Sequence, residues 1–372
     1  MNNLKKKIVV LLFALLLVLT LAGCSNQKNS GLVIGVAWPF ASNNSLFSEG
    51  IDLAVKQINS NGGVNGREIC LIKKDDKGTV ADGMTIAQSF AENRDIVAVI
   101  GHRNSSVSIP TSRIYQEAGL VMISPASTSP ELTKNGYINV FRNIPSDEEI
   151  AAQLAALAAK QGHHRMVIFY SEDSYGIALA NSFEDHASKD GITIVDRISY
   201  YGGLKDLIKL KEKWEALNFD GVFVADSLPD GAEFIADAGR AGITVPFMGG
   251  NTMDSPDLYK IAGKTAVGTV VGTVFNPNEQ SEKAQSFVKE FRKQYNVMPG
   301  PYAAQGYDAV NLLAAAIEKA GTTDSAALVK ELHSLKDWSG VTGYHCFDAK
   351  GNDTAAKVVL KIQRDNGFEY LN

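Results

Sequence analysis

From Leu32 onward, the sequence alternates short apolar runs with longer segments in which apolar residues repeat at helical spacing. This alternation is typical of a parallel sheet whose two faces are covered by helices. The predicted strands are Leu32–Ala37, Glu68–Lys73, Ile96–Ile100, Leu120–Ile123, Met166–Tyr170, Thr193–Ser199, Gly221–Ala225 and Val267–Phe275. The predicted helices are Phe47–Ile58, Met84–Asn93, Val107–Ala118, Ile150–Lys160, Ile177–Lys189, Leu207–Leu217, Ala232–Ala241, Ser281–Tyr295, Tyr302–Ala320 and Ser325–Leu335. The sequence therefore predicts an α/β fold.

The order of these segments predicts two lobes. One β/α block runs to about Arg142 and another from about Asp147 to Phe275, whereas helices dominate after Asn276. Those last helices would most economically return to cover the first sheet, so we expect the chain to cross between the lobes more than once. Several crossovers form a hinge, and a hinge allows two lobes to close around a ligand.

The N-terminal residues have the pattern of an export signal. A lysine cluster at residues 5–7 precedes an uninterrupted apolar run from Ile8 to Leu19, and small residues then lead to Cys24. The run is shorter than the roughly 20 apolar residues that a membrane span needs, and polar residues follow it. We therefore predict a signal peptide over residues 1–23 and a tether over residues 24–31.

Cys24 is a candidate site of lipidation. Residues 21–24 read Leu-Ala-Gly-Cys and resemble the bacterial lipobox, whose cysteine is lipidated and becomes the new N-terminus after cleavage. A multiply acylated Cys24 would hold the protein firmly at the membrane surface. The alternative is a signal peptide that ends near a cysteine by chance, or an uncleaved anchor.

Charge and cysteine usage narrow the class of protein. The formal net charge is −5, and no cluster of Lys and Arg occurs outside the leader, so nucleic acid is not an expected partner. The chain after the leader is long enough for two domains of about 150 residues each. Its two cysteines, Cys70 and Cys346, lie far apart in the sequence, and we expect both to be unpaired thiols.

No recognisable catalytic motif occurs in the sequence. It lacks a Gly-x-Ser-x-Gly elbow, a paired metal motif and a phosphate-binding loop. The adjacent His163 and His164 precede a predicted strand and are expected to form a surface turn rather than a metal pair. We therefore expect no enzymatic activity, no metal and no cofactor.

Ligands of open α/β sheets bind outside the carboxyl ends of the strands, so the loops that follow the strands are the candidate sites. The loop after Ile96–Ile100 leads to Ser105 and Ser106, with a helix predicted from about Val107. Either serine could cap this helix and, together with the free backbone N–H groups, hold an anion such as a carboxylate. Capping alone is an equally good interpretation.

The loop after Leu120–Ile123 is the second candidate. It runs from Ser124 to Pro130, and prolines near its two ends stiffen it. Ala126, Ser127 and Thr128 offer backbone carbonyls, backbone N–H groups and hydroxyls in a narrow space. An ordinary turn explains the same residues.

Several of these segments resemble the leucine/isoleucine/valine-binding protein family. Residues 100–132 carry the resemblance most specifically, through the segments IGHRNSS, IYQEAG and MISPASTSPEL. Further matches follow in the family's order at Tyr175-Gly176, Phe247-Met248-Gly249, Ile261-Ala262-Gly263 and Gly306-Tyr307-Asp308-Ala309-Val310. The resemblance covers nearly all of the mature chain.

The resemblance implies the type I periplasmic binding protein fold, with two doubly wound parallel-sheet lobes joined by a hinge of three crossovers. Lobe 1 would comprise residues 32–144 and 275–343, and lobe 2 would comprise residues 145–274 and 344–372. Proteins of this family are extracytoplasmic receptors of ATP-driven importers.

The resemblance also implies ligand-binding positions. Ser105 matches the serine that binds the ligand carboxylate, while Ala126 and Thr128 match positions that bind the carboxylate and the α-amino group. Tyr175 matches a tyrosine that reaches in from the second lobe, and Tyr302 matches an aromatic residue on the wall of the first lobe.

Two departures from the family pattern put the ligand in question. Ser227 replaces a tyrosine, and Asn251 replaces the glutamate that pairs with the ligand ammonium. Because an amide cannot neutralise a charge, either another acid substitutes or the ligand differs. Asp226 is the candidate substitute and Asp173 a weaker one, although Asp226 could equally be a solvated loop acid.

Trp38 is a further departure, since the family usually has a small residue after the first strand. Its indole could stack on the ligand or shorten the pocket, and packing in the core is a comparable alternative. The sequence therefore does not fix leucine or valine as the ligand.

The leading hypothesis is an extracytoplasmic substrate-binding lipoprotein of an ABC importer that binds an amino acid or an analogue by lobe closure. The expected partners are this small molecule, an ABC permease and the membrane through the lipid anchor, and the protein is expected to be a monomer. Two alternatives remain, a binding protein that delivers its signal to a membrane receptor and a receptor for an amide or a short carboxylic acid.

Overall fold

Two sheets form the centres of two lobes in the computed structural model, which describes residues 31–41 and 45–371. The first sheet has five parallel strands in the order β2-β1-β3-β4-β5. They are β1 (Leu32–Trp38), β2 (Ile69–Asp75), β3 (Ile96–Ile100), β4 (Val121–Ser124) and β5 (Val140–Arg142). The second sheet begins with five parallel strands, β6 (Arg165–Tyr170), β7 (Thr193–Ile198), β8 (Gly221–Ala225), β9 (Phe247–Gly249) and β10 (Val270–Thr273).

A C-terminal hairpin completes the second sheet. Strands β13 (Val359–Arg364) and β14 (Gly367–Tyr370) add antiparallel to β10, which gives the order β14-β13-β10-β9-β8-β6-β7. The short strands β11 (Trp338–Ser339) and β12 (Tyr344–His345) form a separate ribbon. The α/β prediction is confirmed, but the expectation that no long strand follows Asn276 is wrong because β13 has six residues.

Helices cover both faces of each sheet. Their bounds are Phe47–Ser60, Val80–Glu92, Ser105–Ala118, Glu131–Lys134, Asp147–Lys160, Ser174–Lys189, Leu204–Ala216, Asp230–Arg240, Asp257–Ala262, Glu282–Tyr295, Pro301–Ala320 and Ser325–Ser334. Several begin two to four residues before the sequence prediction, since their first turns are polar and add nothing to the apolar repeat. Thr79 and Asp173, for example, cap their helices by accepting backbone N–H bonds.

The late helices return to the first lobe, as the sequence predicts. The long helix Pro301–Ala320 packs along Phe47–Ser60, and both contribute to the apolar core beneath the first sheet. Gly50 makes this approach possible, because a Cβ atom there would run into the backbone of Ala303. The helix Ser325–Ser334 joins the same core.

The chain passes between the two sheets three times, after β5, after β10 and after β12. The first and third passages contact each other, because Arg142 at the end of β5 forms a parallel bridge with Asn352. Asn143 also donates from Nδ2 to the backbone and side-chain oxygens of Gln305, both at 3.1 Å. The structure thus has the three crossovers of the predicted hinge, whereas the individual lobe boundaries stay predictions.

A buried histidine fixes the third crossover. His345 is 1% exposed, and its Nδ1 contacts the carboxylate of Asp353 while its Nε2 lies 3.0 Å from the hydroxyl of Thr342 and 3.4 Å from Asp308. Burial lowers the pKa of His345, but the hydrogen bonds to Asp308 and Asp353 outweigh this and raise it to about 9. A charged imidazolium therefore connects the helix Pro301–Ala320 to the segment that enters β13.

Among the described residues, no helix is both long enough and apolar enough to cross a membrane. Cys70 is exposed and Cys346 is half-buried, and both are unpaired as expected. The predicted signal peptide, Cys24 and most of the tether lie outside the described residues.

The charge on His345 predicts how stability depends on pH. Since its pKa is raised in the folded protein, the stabilisation is fully present below about pH 6.5 and is lost as the pH rises through about 9. We expect the urea midpoint of unfolding to decline between pH 7 and pH 9.5, and to decline less in His345→Gln. Tryptophan fluorescence measures both midpoints, and equal slopes for the two proteins would contradict this role of His345.

Candidate functional site

The carboxyl ends of the parallel strands locate the site. In the first sheet the strand order reverses between β1 and β3, and in the second sheet it reverses between β6 and β8. Such reversal points leave a crevice at the sheet edge. The helices Ser105–Ala118 and Ser174–Lys189, which follow β3 and β6, contact each other, so the two crevices meet.

Ser105 is the first residue of its helix rather than its cap, which corrects the sequence expectation. The N-cap is Asn104, and its side chain makes no capping bond. Ser105 is buried, and its Oγ accepts a hydrogen bond of 3.3 Å from the backbone N–H of Ser129. The Ser105 hydroxyl proton has no acceptor among the described residues, so it can be donated to a ligand.

Arg142 holds the loop after β4, residues 124–130, by hydrogen bonds to its backbone. Its Nη1 donates to the backbone carbonyls of Ser127, Thr128 and Ser129, at 3.4, 3.0 and 2.7 Å. Its Nη2 donates to Thr133 and Asn352. The guanidinium therefore fixes three consecutive peptide groups of the loop.

Ser127 braces the loop rather than facing the cleft. Its hydroxyl contacts Ser108 at 2.5 Å and donates to the carbonyls of His102 and Arg103, while its N–H donates to Ser124. These contacts leave the neighbours Ala126 and Thr128 to present groups to a ligand.

Asp147 is the residue that sequence reasoning missed. It is fully buried at the start of the helix Asp147–Lys160, and its N–H donates to the carbonyl of Thr128 at 2.9 Å. No described group makes a well-formed hydrogen bond to either of its carboxyl oxygens, and the Thr128 hydroxyl is likewise unpartnered. A buried carboxyl and a buried hydroxyl, side by side and unpaired, are suited to a cationic donor.

Burial raises the pKa of Asp147 to about 7. The neighbouring Thr128 hydroxyl opposes the rise, although this pair does not meet hydrogen-bond geometry, and Arg142 opposes it through space. The sequence signal was a row of three acids after Ser146, which reads simply as a helix start because acids favour the first turn.

Tyr175 forms the wall of the second lobe. Its hydroxyl accepts a hydrogen bond of 2.8 Å from Thr252. Burial, and then the nearby charge of Asp147, raise the pKa of Tyr175 well above its ordinary value. Gly250 lets this ring approach closely, because a Cβ atom there would collide with the phenol oxygen.

The acids proposed as substitutes for the missing glutamate differ in their surroundings. The Asp173 carboxylate is occupied as a helix cap, where it accepts from the N–H groups of Tyr175 and Gly176. Asp226 is buried rather than solvated, and its Oδ1 accepts from the N–H of Ser227 at 2.6 Å. Burial raises the pKa of Asp226 to about 6.

Asn251 stands where the family has its glutamate. It is buried at the start of a short 3₁₀ helix (Asn251–Met253), and its side-chain oxygen has no hydrogen-bond partner among the described residues. An amide oxygen of this kind can accept a hydrogen bond from a ligand but supplies no charge.

Trp38 packs in the core of the first lobe. Its ring stacks on Phe47 with centroids 3.8 Å apart, and its Nε1 donates to Ser45. Only its edge meets Tyr302, with centroids 5.6 Å apart, and the Arg103 guanidinium lies 5.5 Å from the Tyr302 ring centre. Trp38 therefore contacts Tyr302, the aromatic residue that the resemblance assigns to the wall of the first lobe.

The arrangement brings hydroxyl and N–H donors and a buried acid together at the loop that carries Thr128. Ser105, the Ala126–Thr128 backbone and the helix N-terminus suit a carboxylate, and Asp147 suits an ammonium group. Among the described residues, no group of three or more His, Cys, Asp or Glu side chains is arranged to hold a metal ion.

A family model of periplasmic binding proteins matches residues 31–361. The chain belongs to the periplasmic binding protein family. The Leu/Ile/Val-binding protein homolog 1 of Brucella abortus (strain 2308) is 29% identical over 336 residues, which cover 89% of this chain and 88% of that protein. The resemblance inferred from residues 100–132 is thus confirmed.

Solved structures of periplasmic binding proteins agree with this assignment. The ABC transporter substrate-binding protein of Desulfitobacterium hafniense in complex with Leu is 54% identical, with a TM-score of 0.85 and coverage of 92% of this chain and 100% of that chain. A leucine binding protein of Thermotoga maritima is 26% identical, with a TM-score of 0.84 and coverage of 92% and 98%. The type I fold is confirmed, and the matched proteins are binding proteins rather than enzymes.

Proposed function

We propose that this protein binds an amino acid, with leucine as the first candidate, and presents it to an ABC importer. The observation that carries the proposal is the buried carboxyl of Asp147, which lies unpaired beside the unpaired hydroxyl of Thr128. The likeness to the leucine complex of the Desulfitobacterium hafniense protein supports leucine.

The ligand carboxylate would bind the first lobe. The Ser105 oxygen accepts from the Ser129 N–H, and its hydroxyl proton, which has no acceptor among the described residues, can be donated to the ligand. The backbone of Ala126 and the hydroxyl of Thr128 complete this end, and the first turn of the helix Ser105–Ala118 adds its positive dipole end. Ser127 contributes by holding the loop.

The ligand ammonium would bind Asp147, the Thr128 hydroxyl and the amide oxygen of Asn251. In this proposal Asp147 supplies the charge that Asn251 lacks, so the glutamate is replaced by an acid from another element. Asp226 lies on the second lobe and would add to the negative potential. Charged partners in a desolvated site stabilise each other more strongly than in water.

The remaining candidates would shape the pocket. Tyr175 would close over the ligand from the second lobe, and Tyr302, supported by Trp38, would form the wall of the first lobe. Closure is stabilised because the ligand contacts both lobes only in the closed form.

We further propose that the protein acts as a monomer outside the cytoplasm and is anchored through lipidated Cys24. The lipobox-like residues 21–24 and the polar residues after them support this proposal. A tethered receptor remains close to the permease that it serves.

The carboxylate end predicts two losses of affinity. Ser105→Ala and Thr128→Ala should each weaken leucine binding by about 1–3 kcal/mol, because each leaves a charged ligand group without a buried partner. Titration calorimetry on protein that lacks residues 1–24 measures this, with Ser188→Ala at an exposed position of the second lobe as a control. Wild-type affinity in both variants would show that the pocket lies elsewhere.

The ammonium end predicts a dependence on pH. Because the pKa of Asp147 is about 7 in the empty protein, a bound ammonium requires its deprotonation, and affinity should fall about tenfold between pH 8 and pH 6. Asp147→Asn should bind weakly at pH 8 and lose this dependence, whereas Asp226→Asn should keep it. The reverse result in calorimetry would make Asp226 the counter-ion.

The anchor predicts the location of the protein. Wild-type protein should sediment with membranes and partition into detergent, whereas Cys24→Ser should appear in the soluble extracytoplasmic fraction. Mass spectrometry of the N-terminal peptide checks the modification directly, and an unmodified thiol at Cys24 would contradict the proposal.

A further inference from the structure

Arg142 is a buried cation whose hydrogen bonds all go to neutral groups. The side chain is 1% exposed, and it makes no ion pair with any carboxylate of the described residues. Its partners are all neutral, namely the three carbonyls of residues 127–129, the Thr133 hydroxyl and the Asn352 amide oxygen. A buried charge with neutral hydrogen-bond partners is costly, and it creates a positive potential at the groups that it contacts.

The groups that this positive potential affects most directly belong to the loop that Arg142 contacts. A hydrogen bond to a peptide carbonyl polarises the whole peptide group and strengthens the following N–H as a donor. Arg142 donates to the carbonyl of Thr128, and the N–H of the same peptide group belongs to Ser129, which donates to Ser105. A continuous chain of hydrogen bonds therefore runs from the guanidinium to the hydroxyl proposed to meet the carboxylate.

Asp147 is the second buried charged group near the loop. Burial lowers the pKa of Arg142, and among the acids that oppose this effect Asp147 acts most strongly. The two residues do not form an ion pair, but the Thr128 carbonyl accepts from Arg142 Nη1 at 3.0 Å and from the Asp147 backbone N–H at 2.9 Å, so a cationic and an acidic residue meet at the same peptide group. A zwitterionic ligand carries a carboxylate and an ammonium group, whose charges are opposite to those of Arg142 and Asp147.

We propose that Arg142 is a positioning residue that makes the site selective for ligands with an α-carboxylate. It acts through the peptide groups of residues 127–129 and through Ser105, without touching the ligand. This inference rests on the proposed function, since it assigns a role within the same amino-acid site.

The test compares L-leucine with isoamylamine, which keeps the ammonium group and the side chain of leucine but lacks the carboxylate. Calorimetry at pH 8 gives the ratio of the two dissociation constants, which measures selectivity for the carboxylate. Arg142→Gln keeps an amide donor but removes the charge, and should reduce this ratio by about tenfold, the scale of one charge-assisted hydrogen bond. Arg142→Lys keeps the charge but not the two-armed geometry of the guanidinium, so its ratio should lie between those of Arg142→Gln and wild type.

Asn352→Asp provides a second variant that leaves Arg142 in place. The substitution is nearly isosteric and sets a carboxylate against Nη2, so it neutralises the cation while supporting the fold. We expect the selectivity ratio to fall in this variant as well. A role in loop structure alone would leave the ratio unchanged, because it would weaken both ligands equally or neither.

The outcomes separate the two proposals. Wild-type protein that binds neither compound would overturn both the amino-acid site and the role of Arg142. Wild-type protein that prefers leucine, with the same preference in Arg142→Gln or Asn352→Asp, would overturn the role of Arg142 alone. A ratio that falls in Arg142→Gln and in Asn352→Asp, with Arg142→Lys between Arg142→Gln and wild type, would support it.

Discussion

The burial of the Asp147 carboxyl is the constraint on which the site depends. A carboxyl group that has lost water and gained no hydrogen-bond partner ionises less readily, and the rise of its pKa from 3.8 to about 7 corresponds to about 4 kcal/mol of lost stabilisation of the ionised form relative to water. An ammonium group placed beside it would restore the ionised form and relieve this cost. In the proposed function, the stabilisation of the ionised Asp147 carboxylate by the ligand ammonium group contributes to the binding affinity.

The same region connects the site to the hinge. Arg142 lies at the end of β5, where the chain leaves the first lobe, and its two nitrogens hold the binding loop and Asn352 of the third crossover. His345 and its two aspartates hold that crossover a few residues away. Residues that are distant in the sequence therefore hold the binding loop and the third crossover in place.

The departures from the family pattern acquire an explanation in the structure. Asn251, which the resemblance aligns with the family's glutamate, supplies no charge for an ammonium group. Asp147 lies on the first crossover instead of the second lobe, yet it reaches the same cleft beside Thr128. In the proposed function, Asp147 on the first crossover supplies the charge that Asn251 lacks.

The sequence by itself determined the α/β alternation, most strands and helices and the loops that carry Ser105 and Thr128. These features follow from the hydrophobic period of each segment and from the order of the segments along the chain, which are both local properties. It missed β5 and β9, whose three residues are too few to show a period, and it started several helices late because polar first turns carry no apolar repeat. Only the tertiary structure showed that Trp38 packs on Phe47 and that Asp147 is buried without a partner. Burial and charge pairing depend on what distant segments bring to a residue, and no local pattern records them.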